Sequence, residues 1–367
     1  MKLSTIIKYY LLWQLAITAV SAVAQKILPL HEPYLGVGTQ TYIQNQQLYS
    51  RSNFDGNHYL RIAKNGYGFA EQAFFPLYPN LMKKLIPYVK NDTLTGVLVS
   101  SAAFILAMIV FVRLVELDYS PIIAKYSLWA LLLFPTSFFF GAVYTEALFI
   151  LLVLCSFYFA RTKQWWLAGI FGALAANTRL IGIFLLPALF LEWWQHRSAR
   201  NLLPILLIPL GLISYMLFLQ KATGDPVAFF NTQKYYGQFR SDHIVLLYQV
   251  FWRYFKMLAT VTRTDPIFFT IITEFATGLS FMVLTIYSFF KKIRPSYIVF
   301  NLAAYLVPTF TGNFVSLPRY VLACFPGFIL IGMLLAGRPL LRHVVYISFS
   351  YLFFVLVVLF SRGYWVG

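Results

Sequence analysis

Residues 94–115 read LTGVLVSSAAFILAMIVFVRLV, a run in which Arg113 is the only charged side chain. A helix that crosses the hydrocarbon core of a bilayer needs about 20 consecutive apolar residues. Because lipid offers no partner for backbone amides and carbonyls, such a run predicts a membrane-spanning helix and not an open strand. This stretch indicates an all-α membrane protein. Whether the chain crosses the membrane more than once depends on further apolar runs of similar length.

Similar apolar runs recur along the whole chain and predict one membrane domain over residues 1–367. They lie at about residues 9–30, 121–140, 143–160, 165–178, 180–195, 202–220, 266–290, 296–312, 319–337 and 343–361. With residues 94–115 they make about eleven spans. The runs 165–178 and 180–195 are short for a full crossing, so they are tilted or broken spans, or together one re-entrant hairpin.

The first run permits two interpretations. It follows Lys2 and Lys8 and passes through Ala22-Val23-Ala24-Gln25, which has the form of a signal-peptide cleavage site. We expect an uncleaved first span, because the apolar run continues to Leu30. Under either interpretation the segment that follows lies outside the cytoplasm.

The composition excludes a soluble domain and makes nucleic acid an improbable partner. Hydrophobic residues make up 60% of the chain and charged residues 11%, against about 25% charged residues in soluble domains. The net charge of +17 comes from 29 basic residues that are scattered between apolar runs. Membrane lipids and a phosphorylated lipid are therefore the expected partners. Cys155 and Cys324 lie inside apolar runs and indicate neither a disulfide framework nor a metal site.

The short connections between runs predict the orientation, since basic residues favour the cytoplasmic side. With the N-terminus inside, each inner connection holds at least two cations: Arg113 and Lys125, Arg161 and Lys163, Arg197 and Arg200, Lys291 with Lys292 and Arg294, and Arg338 and Arg342. The two long loops, residues 31–93 and 221–265, then both lie outside. The inner connections are too short for a domain that binds a nucleotide-activated sugar.

Residues 53–67, NFDGNHYLRIAKNGY, form a polar and aromatic island in the first long loop. The pattern predicts a short helix over residues 56–65, with Asp55 as its N-cap and Gly66 as its C-terminal cap. Capping alone does not explain why further ionisable groups share this element beside the membrane. Asp55 is therefore also the candidate catalytic residue.

The same loop offers further candidate ligands for a substrate. His58 lies one helical turn from Asp55, where it can orient the carboxylate or bind a phosphate, although a surface histidine is the alternative. Arg61 adds a cation to this element, and Glu71 can hold an acceptor hydroxyl or a metal, or can be a solvated loop residue. Residues Pro79–Tyr88 place apolar side chains on one face and lysines on the other, which predicts an amphipathic helix that anchors the loop at the membrane surface.

Polar residues near other outer connections can join the same cavity. Glu146 lies near the start of an apolar span, where the helix dipole favours an anion. Arg179 and Arg319 are candidate partners for it, and either can instead hold a lipid phosphate by bidentate hydrogen bonds. Arg240, in the second long loop, is a further candidate phosphate ligand. Glu274 lies inside an apolar span, and the sequence gives no account of it.

These residues carry a family resemblance. FDGNHYLRIAKNGY at residues 54–67, followed by Glu71 and by AFFPLYP at residues 73–79, resembles the signature of the PIG-V-type mannosyltransferases, which include the GPI second mannosyltransferase and its prokaryotic relatives. Supporting stretches occur in the same order: YTEALF at 144–149, TRLIG at 178–182 and PRYVL at 318–322. Two positions depart from the pattern, since Phe54 stands where the family usually has Trp and Asn57 where an apolar residue is common.

The resemblance implies a GT-C glycosyltransferase fold, in which outer loops on a bundle of transmembrane helices form the active site. It also implies a polyprenyl-phosphate sugar as donor and an inverting transfer of mannose or another hexose to a lipid-linked or glycan acceptor. Asp55 would be the general base, and Arg179 and Arg319, with His58 or Arg240, would hold the departing phosphate. The residues indicate no cofactor, and the sequence does not identify the acceptor or the oligomeric state.

Two other classes remain as alternatives. A transporter or flippase of lipid-linked or small solutes would also keep charges in a membrane cavity, but transporters usually show internal repeats and charges near the membrane midplane. A non-catalytic membrane subunit would leave Asp55 as a helix cap. The stretch Gly363–Gly367 carries no endoplasmic-reticulum retrieval signal, so we expect a prokaryotic plasma membrane with the active site outside the cytoplasm.

Overall fold

The protein is described by a computed structural model that covers residues 1–195, 201–235, 241, 243–263 and 266–366. Within those ranges every regular element is a helix, in agreement with the predicted fold class. The α-helices are α1 (Leu3–Ile27), α2 (Thr39–Gln44), α3 (Gln46–Tyr49), α4 (Asp55–Asn65), α5 (Leu77–Val89), α6 (Asp92–Glu116), α7 (Pro121–Leu133), α8 (Glu146–Arg161), α9 (Trp165–Ala176), α10 (Leu185–Trp194), α11 (Leu202–Ile205), α12 (Ile208–Thr223), α13 (Ala228–Asn231), α14 (Leu247–Thr260), α15 (Pro266–Phe290), α16 (Pro295–Thr309), α17 (Leu317–Tyr320), α18 (Phe325–Ala336) and α19 (Pro339–Ser361).

Short 3₁₀ helices connect several of these elements. They span Ser50–Ser52, Glu71–Ala73, Ser137–Gly141, Leu180–Phe184, Thr232–Tyr235 and Val321–Ala323. Three of them stand directly before a segment that contributes to the polar cavity described below. The tighter 3₁₀ turn suits such short connectors, in which there is no room for a regular α-helix.

The predicted count of eleven spans is not confirmed. Each predicted apolar run is helical over most of its length, but within the described residues five helices are long and apolar enough to cross a membrane: Leu3–Ile27, Asp92–Glu116, Leu202–Thr223, Ile267–Phe290 and Pro339–Ser361. A sixth is possible if α17, the following 3₁₀ turn and α18 count as one span, which bends by 82°. Other runs form shorter apolar helices, as in α7, α9 and the Leu180–Trp194 pair.

Close helix packing at the centre depends on small residues. A Cβ atom on Gly211 of α12 would lie 1.8 Å from the carbonyl oxygen of Ala173 in α9, and one on Gly169 would lie 2.0 Å from the Pro204 oxygen. Glycine therefore lets α9 approach α11 and α12 at backbone distance, which is how helices pack in membranes where burial from water gives little drive. This packing fixes the end of α9, from which Arg179 follows.

Helix α8 forms the axis of the fold and connects two charged clusters. It packs against α6 and α9 and is buried along most of its length. At its C-terminal end Arg161 Nη2 donates to Asp118 Oδ1 at 2.9 Å, and Arg161 Nε lies 3.3 Å from Glu192 Oε1. At its N-terminal end stands Glu146. A helix of 16 residues is about 24 Å long, so the two clusters lie at opposite ends of the bundle.

Candidate active site

The start of α4 places Asp55. Phe54 occupies the N-cap position with φ 55°, and Asp55 is the first residue of the helix. This backbone conformation is rare for a residue with a side chain and costs about 1–3 kcal/mol, so surrounding contacts must hold it. The Phe54 amide donates to the Leu35 oxygen at 2.8 Å, and the Asn53 oxygen accepts from Tyr144 Oη at 2.8 Å. The structure therefore corrects the capping interpretation of Asp55, whereas Gly66, with φ 82°, ends the helix as predicted.

Asp55 belongs to a group of four charges that we call the ion cluster: Asp55, Glu146, Arg179 and Arg319. Arg319 Nη1 donates to Asp55 Oδ2 at 2.7 Å, and Arg319 Nε lies 3.3 Å from Glu146 Oε1. Arg179 Nη1 donates to the same Glu146 oxygen at 3.0 Å. Glu146 thus holds both arginines, which answers the question of its partner. The formal charges of the cluster sum to zero.

The ion cluster is enclosed by aromatic rings. The guanidinium of Arg319 lies 5.2 Å from the ring centres of Tyr144 and Tyr320, and that of Arg179 lies 5.1 Å from the Tyr320 ring. Such cation–π contacts stabilise a desolvated guanidinium by about 2 kcal/mol or more. Glu146 Oε2 is buried without a hydrogen-bond partner. The rings hold the arginines in place, and both arginines line the cavity described next.

A cavity of about 450 Å³ opens beside the ion cluster. This volume falls in the range typical of small-molecule sites, which combine apolar walls with a few convergent polar groups. Its walls include the polar side chains of Asp55, Tyr59, Thr145, Glu146, Arg179, Ser316 and Arg319 and the rings of Phe74, Phe75, Tyr144, Phe229, Phe230, Tyr235, Tyr320 and Trp365. Asp55 is 25% exposed, so its carboxylate can be reached from the cavity.

Tyr59 follows Asp55 by four residues on α4 and lines the same cavity. Burial raises the pKa of Tyr59 well above its ordinary range, and the negative charges of Glu146 and Asp55 raise it further. The phenol therefore stays protonated near neutral pH and cannot accept a proton. Asp55 is the accessible carboxylate of the ion cluster, because 25% of its side chain is exposed against 3% for Glu146.

The structure places three predicted ligands in a second group outside the cavity wall. Glu71 Oε1 forms an ion pair with Arg61 Nη2 at 2.7 Å and lies 3.1 Å from His58 Nδ1. Its other oxygen accepts from the Gly68 amide at 2.8 Å. The His58 ring stacks on Phe74 at 4.9 Å. Glu71 therefore ties α4 to the loop that follows it, and His58 points toward Glu71 although it lies one turn from Asp55.

Glu274 belongs to neither of these two groups of charges, and Arg240 lies outside the described residues. Glu274, in α15, accepts a hydrogen bond from Tyr254 Oη, which itself accepts from the Phe314 amide at 3.1 Å. This pair therefore fixes the backbone just before Ser316, which lines the cavity with φ 63°. A buried carboxyl with a tyrosine partner gives Glu274 a structural account that the sequence could not provide.

Sequence reasoning did not single out the aromatic part of the site. Tyr320 follows Arg319 directly within the quoted PRYVL stretch, so its presence could have been inferred. Trp365 and Phe229 carry no comparable signal in a chain that is 19% aromatic. Among the described residues, no group of three or more His, Cys, Asp or Glu side chains is arranged to hold a metal ion.

Comparison with known proteins gives two results. A protein-family model described as Mannosyltransferase (PIG-V) matches residues 4–244. Two crystal structures of ArnT from Cupriavidus metallidurans, one bound to undecaprenyl phosphate and one in the apo state, match with a TM-score of 0.51 and 14% identity each. The matches cover 89% and 90% of this chain but 60% of the ArnT chain, so this chain spans about three fifths of that length. No curated protein matches the sequence. The likeness confirms a GT-C membrane fold.

Proposed function

The chain belongs to the PIG-V mannosyltransferase family, and from this premise we propose that it is an inverting hexosyltransferase with a polyprenyl-phosphate sugar as donor. Mannose is the sugar that the family favours. The acceptor would be a hydroxyl of a lipid-linked saccharide or another glycan. The reaction would take place on the extracytoplasmic face of a prokaryotic plasma membrane.

The observation that carries this proposal is the ion cluster at the cavity wall. One carboxylate, Asp55, is accessible and stands 2.7 Å from Arg319. Two arginines in a cavity that is also walled by aromatic rings suit a phosphate attached to a lipid chain, because guanidinium groups bind phosphate oxygens through paired hydrogen bonds. A base and two cations are the groups that transfer from a sugar phosphate requires.

The proposed step needs no covalent enzyme intermediate. Asp55 accepts the proton of the acceptor hydroxyl while that oxygen forms a bond to the anomeric carbon of the donor. The bond from the anomeric carbon to the phosphate oxygen breaks, and its electron pair leaves with the polyprenyl phosphate. Attack opposite the leaving group inverts the anomeric configuration, so one displacement completes the reaction.

Arg319 can stabilise the negative charge both before and after it moves from Asp55 to the leaving phosphate. At the start a negative charge resides on Asp55, and at the end it resides on the leaving phosphate while Asp55 is protonated. Arg319 contacts Asp55 and lines the same cavity, so a bound phosphate can share or replace this contact. Donors that are already oriented toward developing charge are among the largest contributors to catalysis. Arg179, held by Glu146, supplies a second cation for the phosphate.

Charge placement supports the proposed side of the membrane. The ion cluster lies at the N-terminal end of α8, and Arg161 lies at its other end, beside Lys163 in a short connection. Basic residues in short connections favour the cytoplasmic side. The cavity would therefore face away from the cytoplasm, where lipid-phosphate sugars serve as donors in place of nucleotide sugars.

The test is transfer by the purified protein in lipid nanodiscs. Polyprenyl-phosphate mannose with a tritium-labelled sugar is supplied with a lipid extract of the producing cells as the acceptor pool, and a parallel reaction receives labelled nucleotide-activated mannose alone. We expect label in a new glycosidic product with the lipid donor only. Efficient transfer from the nucleotide sugar without a lipid intermediate would contradict the proposal.

The same preparation distinguishes the transporter alternative. Proteoliposomes that hold the labelled lipid on one leaflet report its movement to the other leaflet by accessibility to an added reagent. Movement of the lipid with no new glycosidic bond would favour transport. Formation of product in detergent solution, where no two sides exist, would favour the transferase.

A further inference from the structure

The segment after α19 returns to the cavity and is anchored firmly. Arg362 Nε donates to the Leu28 oxygen at 2.8 Å, and Arg362 Nη1 donates to Tyr42 Oη at 3.0 Å and to Gln46 Oε1 at 2.8 Å. The Arg362 oxygen accepts from the His31 amide at 2.9 Å. These bonds tie residues 362–366 to the end of α1 and to α2 and α3. A side chain that residues 362–366 direct into the cavity is therefore held in a fixed position.

The segment presents an indole ring. Trp365 lines the cavity that contains Asp55, and 42% of its surface is exposed. Its ring meets the Phe54 ring edge to face at 5.2 Å between centres, and the next residue, Val366, is buried. Phe54 immediately precedes Asp55. The indole is therefore fixed on the side of the cavity next to the carboxylate, with a large apolar area left uncovered.

Two ordinary explanations describe this residue less well. A tryptophan that only fills the core would be buried, since exposing an aromatic side chain of this size forfeits a large share of its burial energy. A tryptophan that anchors the protein at the bilayer interface would face lipid. Trp365 instead faces a cavity with charged walls. This position fits a ligand that has both an apolar face and hydroxyl groups.

We infer that Trp365 is the surface on which a sugar ring of the acceptor packs. This inference rests on the proposed function and defines its acceptor as a saccharide. One face of a pyranose ring exposes C–H bonds, which pack on an aromatic ring, while the hydroxyl groups at its edge stay free. The ring belongs to the acceptor because Trp365 contacts the residue before Asp55, the proposed base. The phosphate-binding arginines are arranged around Tyr320 instead.

The first test measures kinetics with octyl α-mannopyranoside as acceptor and saturating polyprenyl-phosphate mannose as donor. We expect Trp365→Ala to raise the KM for the acceptor by at least about tenfold, a loss of about 1.4 kcal/mol. The donor KM should stay within about twofold, because donor contacts remain, and kcat at saturating acceptor should change little. Trp365→Phe keeps an aromatic face and should restore most of the affinity.

The matched control is Trp166→Ala. Trp166 is 57% exposed on α9 and is not among the residues that line the cavity. Its removal should leave both KM values unchanged, which separates a specific contact from a general effect of losing an exposed indole. An unchanged acceptor KM in Trp365→Ala, or a rise in donor KM instead, would overturn the inference.

The second test needs no turnover and keeps the inference separate from the proposed function. Saturation-transfer difference NMR with methyl α-mannopyranoside should show ring-proton signals for the wild type and for Trp365→Phe, and not for Trp365→Ala. Absence of signal for the wild type would overturn the inference even if transfer occurs. Binding that depends on Trp365 without any transfer would retain the sugar site and refute the proposed function.

Discussion

Replacement of Asp55 by Asn should slow the transfer reaction and, at the same time, tighten the binding of the donor. Asparagine keeps the size of the side chain and can still accept the hydrogen bond from Arg319, but it cannot accept the proton of the acceptor hydroxyl. The first turn of α4 loses one favourable charge, which costs about 0.3–1 kcal/mol of helix stability. The fold should therefore survive, and changes in rate constants can be assigned to the site.

Both kcat and the KM for the donor should fall in this variant. General-base catalysis contributes about 10² to 10⁴ in rate, so kcat should fall at least about a hundredfold. At the 2.7 Å separation of Arg319 and Asp55, the attraction is about 6 kcal/mol in a medium with an effective dielectric constant of about 20. Most of this gross value is offset by solvation, but a net release of about 1.4 kcal/mol would tighten donor binding about tenfold. We expect the donor KM to fall.

The assay uses initial rates of transfer from polyprenyl-phosphate mannose, with donor binding measured separately at equilibrium. Asp92→Asn is the matched control, because Asp92 is the first residue of α6 as Asp55 is of α4. Its carboxylate lies 3.7 Å from the exposed amine of Lys64 and not in the ion cluster. It should leave kcat and donor KM unchanged.

Three results would refute the reasoning. If Asp55→Asn is folded and retains more than about a third of wild-type kcat, Asp55 is not the base. If kcat falls but donor binding weakens, Asp55 does not compete with the phosphate for Arg319. If Asp92→Asn shows the same losses, the effect arises from helix stability and not from the chemistry of the cavity.

Further predictions concern topology, the second group of charges and the buried carboxyl of α15. Asp92→Cys should react with an impermeant maleimide in intact cells and Lys163→Cys only after permeabilisation; the opposite pattern would invert the orientation. Glu71→Gln changes a carboxylate paired outside the cavity, so turnover in the transfer assay should fall by less than about tenfold, and a larger loss would move the search for the base. Tyr254→Phe leaves the Glu274 carboxyl without its hydroxyl partner, which should lower the free energy of unfolding by about 1–3 kcal/mol; unchanged thermal stability would contradict this.

The sequence predicted the type of each element better than its extent. Residues 121–140 form one apolar run, yet α7 ends at Leu133 and a 3₁₀ helix begins at Ser137. Pro135 explains the break, since the residue before a proline is driven out of the helical region, and Phe134 has ψ 137°. Hydropathy measures how apolar a run is, but it does not show whether the backbone bends within that run. The 82° bend between α17 and α18 was hidden for the same reason.

The sequence predicted which residues belong to the site better than it predicted which of them contact each other. Orientation put Asp55 and Arg319 on one side of the membrane, but their contact spans 264 positions of the chain. Neither residue carries a local signal of the other. For Glu146 the sequence left Arg179 and Arg319 as alternatives, and the structure shows that one carboxylate oxygen serves both.

The division of α4 between two polar groups follows from helix geometry. At about 100° per residue, positions three and four residues after Asp55 lie on opposite sides of its direction, at about −60° and +40°. Tyr59 therefore shares the cavity wall with Asp55, while His58 turns toward Glu71. Spacing predicts that both are neighbours of Asp55, but only tertiary packing, in which Phe74 contacts both His58 and Tyr59, decides which side becomes the cavity. A sequence motif can thus nominate a base, whereas the tertiary fold selects the groups that surround it.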